Sequence, residues 1–267
     1  MCPYAHLFGV PLTTYSILNV LALIAAGLLL AALAPRFGIG RQDAFYMLLL
    51  CSLCGLVGAK LLYILTALPF YLAVARQYPS ALLPALLRGG GVYWGGFLGG
   101  ALMALSYLRL FRLPVRLGLS LMAAPLALAH GIGRLACFSV GCCYGVPVSW
   151  GVPFAQSPIA PNGRPLLPVQ LIEAGFNFIL ALALILLGKR PEWRPRLLTI
   201  YLVAYPVFRF AIEFFRGDAY RGFWLGLSTS QWIALLLLVL NGTDVCLRRW
   251  RRKAASPRPS ALPPMVK

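Results

Sequence analysis

Tyr15-Ser16-Ile17-Leu18-Asn19-Val20-Leu21-Ala22-Leu23-Ile24-Ala25-Ala26-Gly27-Leu28-Leu29-Leu30-Ala31-Ala32-Leu33-Ala34 is a run of 20 residues without a charged side chain, and it ends at Pro35-Arg36. A bilayer core about 30 Å thick is crossed by a helix of about 20 apolar residues, so this stretch is read as a transmembrane helix with its stop signal in water. Six further stretches have the same character, at about 44–69, 92–111, 117–137, 166–188, 197–215 and 228–247, each bounded by Pro, Gly or Arg. The expected fold is an all-α integral membrane protein with about seven transmembrane helices. Composition agrees: 60% of the 267 residues are hydrophobic and 11% are charged, where a soluble domain has about a quarter charged. An ordinary soluble enzyme is excluded. The net charge of +18 would suggest nucleic acid in a soluble chain, but here most Lys and Arg lie between apolar runs, so no nucleic-acid partner is expected.

Orientation follows the distribution of Lys and Arg. With the C-terminus cytoplasmic, 16 of the 24 fall on the cytoplasmic side: Arg36, Arg41, Arg109, Arg112, Arg116, Lys189, Arg190, Arg194, Arg196, Arg248, Arg249, Arg251, Arg252, Lys253, Arg258 and Lys267. Seven spans then put the N-terminus outside. The first span lacks the charged n-region and short apolar core of a cleavable signal peptide and is read as a retained helix. The chain divides into a transmembrane domain, 1–247, and a basic cytoplasmic tail, 248–267, expected to be disordered, whose Arg and Lys suit anionic lipid.

The seven cysteines are scattered over spans and one loop, so no disulfide framework is readable. Cys51 and Cys54 read as two small apolar residues in a span. Cys142 and Cys143 fall in a Gly-rich turn on the outer side, where reactivity or metal binding together with Cys137 competes with a plainer reading as small loop residues. No metal and no cofactor is expected.

An ionisable group within a span costs roughly 3 kcal/mol and points to function. Lys60 lies in the second span, His130 and Arg134 in the fourth, Glu173 in the fifth, Arg209 and Glu213 in the sixth. His130 and Arg134 share a helix face, as do Arg209, Glu213 and Arg216. Even after Glu173 and Glu213 are used, Arg134, Arg216 and Lys60 are expected to lack carboxylates, and such an excess of buried positive charge wants an anion. Phosphate suits it, because guanidinium groups bind phosphate bidentately. The run Gly89-Gly90-Gly91-Val92-Tyr93-Trp94-Gly95-Gly96-Phe97-Leu98-Gly99-Gly100 has two readings. Its four-residue glycine spacing lets helices approach closely, and the glycines before the helix leave N–H groups free for an anion.

In combination these motifs resemble the prolipoprotein diacylglyceryl transferases of bacterial inner membranes, from Tyr15 to Gln231. The resemblance lies in Gly133-Arg134-Leu135-Ala136-Cys137-Phe138-Ser139-Val140-Gly141-Cys142-Cys143-Tyr144-Gly145, in Val92 to Gly100, in Pro168-Val169-Gln170-Leu171-Ile172-Glu173, in Arg209-Phe210-Ala211-Ile212-Glu213-Phe214-Phe215-Arg216 with Asp218, and in Ser230-Gln231-Trp232. It implies transfer of the diacylglyceryl group of phosphatidylglycerol to the cysteine thiol of a lipoprotein signal peptide, with release of glycerol-1-phosphate. The implied catalytic residues are Arg134, Arg209, Glu213 and Tyr15. The implied substrate-binding residues are Arg216, Gly95, Gly96, Trp94, Lys60, Gln170, Glu173, His130, Gly141, Cys142 and Gly145. The implied partners are phosphatidylglycerol, prolipoprotein signal peptides and membrane lipid, in a multi-pass protein of the bacterial inner membrane. Three positions depart from the family's pattern: Trp94 stands where a His is usual, Cys137 where an Asn is usual, and Cys142 at the motif's Glu. Trp cannot accept a proton, which leaves His130 either as a substitute base or as a structural, hydrogen-bonded histidine. Two other readings remain: a related transferase with another lipid donor or acceptor, and a non-catalytic phospholipid-binding membrane protein.

Overall fold

A computed structural model of the chain describes residues 4–7, 10–218 and 222–255. Among the described residues ten α-helices follow one another: α1 (Thr14–Leu33), α2 (Arg41–Thr66), α3 (Leu68–Gln77), α4 (Pro79–Arg88), α5 (Tyr93–Leu110), α6 (Val115–Leu121), α7 (Ala123–Val140), α8 (Val169–Gly188), α9 (Leu197–Ile212) and α10 (Thr229–Ala255). Among the described residues six helical stretches are long and apolar enough to cross a membrane, with α6 and α7 counting as one, Val115–Val140. The protein is therefore an all-α, multi-pass membrane protein. The third expected span is present as α5, 18 residues long, but it is not among those six, because its first half is rich in glycine and aromatic residues.

Two boundaries differ from expectation. The stretch after Pro69 forms two short helices, α3 and α4, since Pro at the first turn of each is compatible with helix initiation. The last helix does not stop at 247 but continues through its basic residues to Ala255. Residues 256–267, where disorder is expected, lie outside the described residues, as does Arg221. Among the described residues there are three small antiparallel hairpins, β1 (Tyr4–Leu7) with β2 (Val10–Thr13) ahead of α1, and, between helices, β3 (Pro147–Pro153) with β4 (Pro165–Leu166) and β5 (Phe223–Trp224) with β6 (Leu227–Ser228).

Helix α5 lies along α2 at backbone contact. A Cβ added at Gly95 would meet the Gly58 carbonyl oxygen and come within 2.6 Å of the Leu62 Cβ, and one added at Gly99 would meet the Cys54 carbonyl oxygen. Small residues are what permit helix axes to come this close in lipid. The main core packs Leu30, Leu33, Phe37, Met47, Tyr107, Leu121, Ala127 and Leu184. At that end of the bundle Arg194 ties two chain ends through three carbonyls: Nε donates to the Gly188 carbonyl at 3.0 Å, Nη1 to the Arg36 carbonyl at 2.6 Å and Nη2 to the Lys189 carbonyl at 3.5 Å. Carbonyls at the ends of helices lack intrahelical partners and attract positive charge.

An apolar cavity of about 490 Å³ lies between α1, α2, α5, α7 and α9, lined among others by Leu30, Leu48, Phe97, Leu105, Met122 and Tyr201. Gly96 also borders it.

Replacing Gly95 with Val is expected to cost about 1–3 kcal/mol through overpacking, read as a lower Tm in detergent micelles. Gly175→Ala, where an added Cβ meets nothing within 4 Å, is expected to leave Tm unchanged or raise it, since Ala is the better helix former by up to about 1 kcal/mol.

Candidate active site

Glu173 on α8 is 1% exposed, and a carboxylate so buried needs charged and hydrogen-bonding partners. It has them from two other helices. Arg134 of α7 places Nε 3.1 Å from Oε1, and Arg209 of α9 places Nη1 3.5 Å from Oε2. Tyr205, one turn before Arg209, donates its hydroxyl to Oε1 at 3.0 Å. Arg134 and Arg209, 75 positions apart in sequence, thus sit on the two oxygens of one carboxylate, well within the reach of a single phosphate group.

His130 is woven into the same network. Arg134 Nε donates to His130 Nε2 at 3.2 Å, and the Tyr205 hydroxyl lies 3.3 Å from that nitrogen. This places a lone pair on Nε2 and the ring proton on Nδ1 by hydrogen-bond logic. The histidine is therefore a hydrogen-bonded member of the bundle, with its free lone pair already committed to Arg134. Among the described residues, the two terminal nitrogens of Arg134 make no hydrogen bond or ion pair with protein.

The cluster continues along the end of α9. Arg209 Nη2 bonds Glu213 Oε2 at 2.8 Å and donates to Ser230 Oγ at 3.2 Å. Arg216 lies 4.0 Å from Glu213 and grips Asp218 with two nitrogens, Nε at 3.1 Å and Nη2 at 2.8 Å. The expected surplus of unpaired cations is corrected accordingly. Among the described residues three guanidinium groups face three carboxylates, because Asp218 takes Arg216 while Arg134 and Arg209 share Glu173. The terminal N–H groups of Arg134, unused among the described residues, are open to an anion.

Backbone bonds bring the two arginine motifs together. Helix α7 closes with the Cys142 N–H bonded to the Cys137 carbonyl and the Gly141 N–H to the Phe138 carbonyl, with Gly141 at φ 75°; these are the paired bonds of a Schellman motif. The Gly141 position also faces Ser157, whose hydroxyl an added Cβ would meet. Gln170, fully buried, donates Nε2 to the Cys142 carbonyl at 2.8 Å, and its Oε1 has no partner among the described residues. Gly145 donates its N–H to Leu167, Val146 to Phe215, and Gly217 to Tyr144, so the turn after α7 and the segment carrying Arg216 are tied by main chain.

Other expected residues lie elsewhere. Lys60 donates to the Gly89 carbonyl at 2.6 Å and the Leu87 carbonyl at 3.5 Å, holding the end of α4 and taking no part in the arginine cluster. Gly95 lies against α2. Trp94 packs edge-on to Tyr93 and Phe97, with ring centroids 5.5 and 5.9 Å apart. Tyr15 is 41% exposed at the start of α1 and is not bonded to either central arginine among the described residues; its electrostatic neighbours are Cys137, Cys142 and Cys143. Three residues of the network were not singled out from sequence as site residues: Tyr205, Ser230 and Asp218. Tyr205 was readable, since it stands four residues before Arg209 and hence on the same helix face.

A membrane bundle with guanidinium groups around one buried carboxylate, beside an apolar cavity, defines a protein that handles an anionic lipid at its headgroup. The particular family is shown by comparison. The family model for prolipoprotein diacylglyceryl transferase matches residues 3–245. A phosphatidylglycerol–prolipoprotein diacylglyceryl transferase of Clostridium tetani is 33% identical over 250 residues, covering 93% of this chain and 98% of the relative. A second, of Clostridium perfringens, is 34% identical over 88% of this chain and 90% of its own length, and one of Streptococcus mutans is 30% identical over 88% and 90%. The chain belongs to the prolipoprotein diacylglyceryl transferase family.

Glu173→Gln should leave two buried arginines facing a neutral amide, and breaking a buried pair in this way costs about 3–5 kcal/mol. Tyr205→Phe removes hydrogen bonding only and should cost about 1–2 kcal/mol. Thermal unfolding in micelles checks the ranking, Glu173→Gln lying well below Tyr205→Phe and the latter below the parent.

Proposed function

We propose that this protein transfers the diacylglyceryl group of phosphatidylglycerol to the cysteine thiol of a prolipoprotein signal peptide and releases glycerol-1-phosphate. The observation that carries the assignment to particular residues is the pair Arg134 and Arg209 on opposite oxygens of Glu173. In the reaction the acceptor sulfur forms a bond to the glyceryl carbon while the bond from that carbon to the phosphate-ester oxygen breaks. The electron pair leaves on the phosphate and the thiol proton is lost. The enzyme must therefore stabilise charge growing on a leaving phosphate, and preorganised donors do so without reorganisation at the moment of reaction.

Arg134 supplies its free terminal nitrogens to that phosphate. Arg209 supports it from the other side, oriented by Glu173, Glu213 and Ser230. Arg216, fixed by Asp218, receives the headgroup at the rim. The apolar cavity accommodates acyl chain, and it reaches the site through Tyr201, whose ring stacks on Tyr205 with centroids 5.9 Å apart. Tyr15 lies on the side of the Cys142 turn, where the signal peptide approaches. The protein works in the bacterial inner membrane as a seven-span bundle with its N-terminus outside, the site at the outer end and the Arg194 end cytoplasmic.

Purified protein given labelled phosphatidylglycerol and a peptide bearing the acceptor cysteine should form the thioether product. Absence of product from protein that still binds phosphatidylglycerol overturns the assignment. Arg134→Lys keeps the charge but loses the fork and is expected to lower kcat by about 100-fold or more, the scale set by loss of one oxyanion donor. Ala101→Phe, in the cavity wall, should instead raise KM for long-chain donors with little change for a short-chain analogue. A reporter fused to the C-terminus should be active only in the cytoplasm.

A further inference from the structure

Outside the arginine network the turn after α7 assembles a second cluster. The Sγ atoms of Cys137, Cys142 and Cys143 all lie within 4.8 Å of one another. Sequence spacing alone does not produce this. Cys137 belongs to the last turn of α7, and the Schellman closure at Gly141 folds the chain back so that Cys142 returns above it, Cys142 Sγ lying 3.6 Å from the Cys137 carbonyl oxygen. Cys143 then takes φ 59°, a left-handed conformation uncommon for any residue but glycine. The bond from Gln170 to the Cys142 carbonyl and that from Gly145 to Leu167 hold the turn in place on both sides.

Three thiolates bound to one ion at about 2.3 Å lie roughly 4 Å apart, close to the observed spread of up to 4.8 Å. All three cysteines are half-buried. Arg134 and Arg216 act electrostatically on Cys143, so a complex of net negative charge is compensated where it forms. Thiolate is a soft ligand and selects soft cations over Mg²⁺ or Ca²⁺.

We propose that Cys137, Cys142 and Cys143 bind a soft thiophilic cation of the Zn²⁺ or Cu⁺ class. For Zn²⁺ the step is the ion plus three thiols giving a tris-thiolate complex of charge −1 and three released protons, without change of oxidation state. Among the described residues no fourth Cys, His, Asp or Glu joins the group, so one position of a tetrahedral ion stays open to an exchangeable ligand. The proposal goes beyond the sequence expectation of no metal and does not rest on the transfer reaction.

The test uses the full chain in detergent, reduced, stripped of metal and titrated with Zn²⁺ against a chromophoric chelator. One equivalent should bind. Cys143→Ser should weaken binding by about 100-fold or more, beyond the 10- to 100-fold that outer-shell partners cost, while the double change Cys51→Ser, Cys54→Ser should leave it unaltered. Wild-type protein alone gives a second readout that needs no variant: Zn²⁺ should protect Cys137, Cys142 and Cys143 from alkylation, read by mass spectrometry, and leave exposed Cys246 reactive. No uptake of Zn²⁺, uptake undiminished in Cys143→Ser, or uptake without protection of the three thiols each overturns the site.

Discussion

A single carboxylate organises this molecule. Glu173 is buried in a bundle that offers it no water, and an uncompensated charge there would cost several kcal/mol. The cost is offset because α7, α8 and α9 converge on it, bringing Arg134, Tyr205 and Arg209 to its two oxygens. The same interaction that stabilises the helix packing fixes the guanidinium groups in place. In the proposed reaction a phosphate arriving at Arg134 meets donors that are already oriented, and much of the entropy of ordering a long side chain has been spent in folding.

Around that centre the hydrogen bonds divide by kind. Charged side chains join the helices through the site, while main-chain bonds join the loops, with Gly145 and Val146 on one side and Phe215 and Gly217 on the other. Two segments some 70 residues apart in sequence consequently form one small structural unit at the rim. Glycine is required at 145 for the ordinary reason of space: a Cβ there would press on the Leu167 carbonyl at 2.5 Å.

The sequence made the bundle legible because lipid imposes one rule, about 20 apolar residues for each crossing, and apolar runs with punctuated ends obey it visibly. It also marked Arg134, Glu173, Arg209 and Glu213, since charges are conspicuous where the surroundings are apolar. Pairing was less readable. Asp218 lies outside the spans and entered only as part of a motif, with no partner assigned to it, yet it takes Arg216 in two hydrogen bonds. Lys60 shared the chemistry of the others but not their place, because carbonyls left free at the end of α4 claim it. The glycines of α5 showed only that something approaches closely. That their neighbour is the backbone of α2 depends on how the chain folds in three dimensions, and no local pattern encodes it. Helices α3 and α4 went unread because their short apolar turns are interrupted by Pro69 and Pro84.

The Arg194 side chain has a mechanical consequence. By holding the carbonyls of Arg36, Gly188 and Lys189, it clasps the chain after α1 and the end of α8, and Arg116 adds a bond to Pro195 at 2.9 Å. A bundle clasped at one end can breathe only at the other. Any parting of helices wide enough for a two-tailed lipid then acts as a hinge about Arg194, with its largest opening at the rim where the guanidinium groups stand.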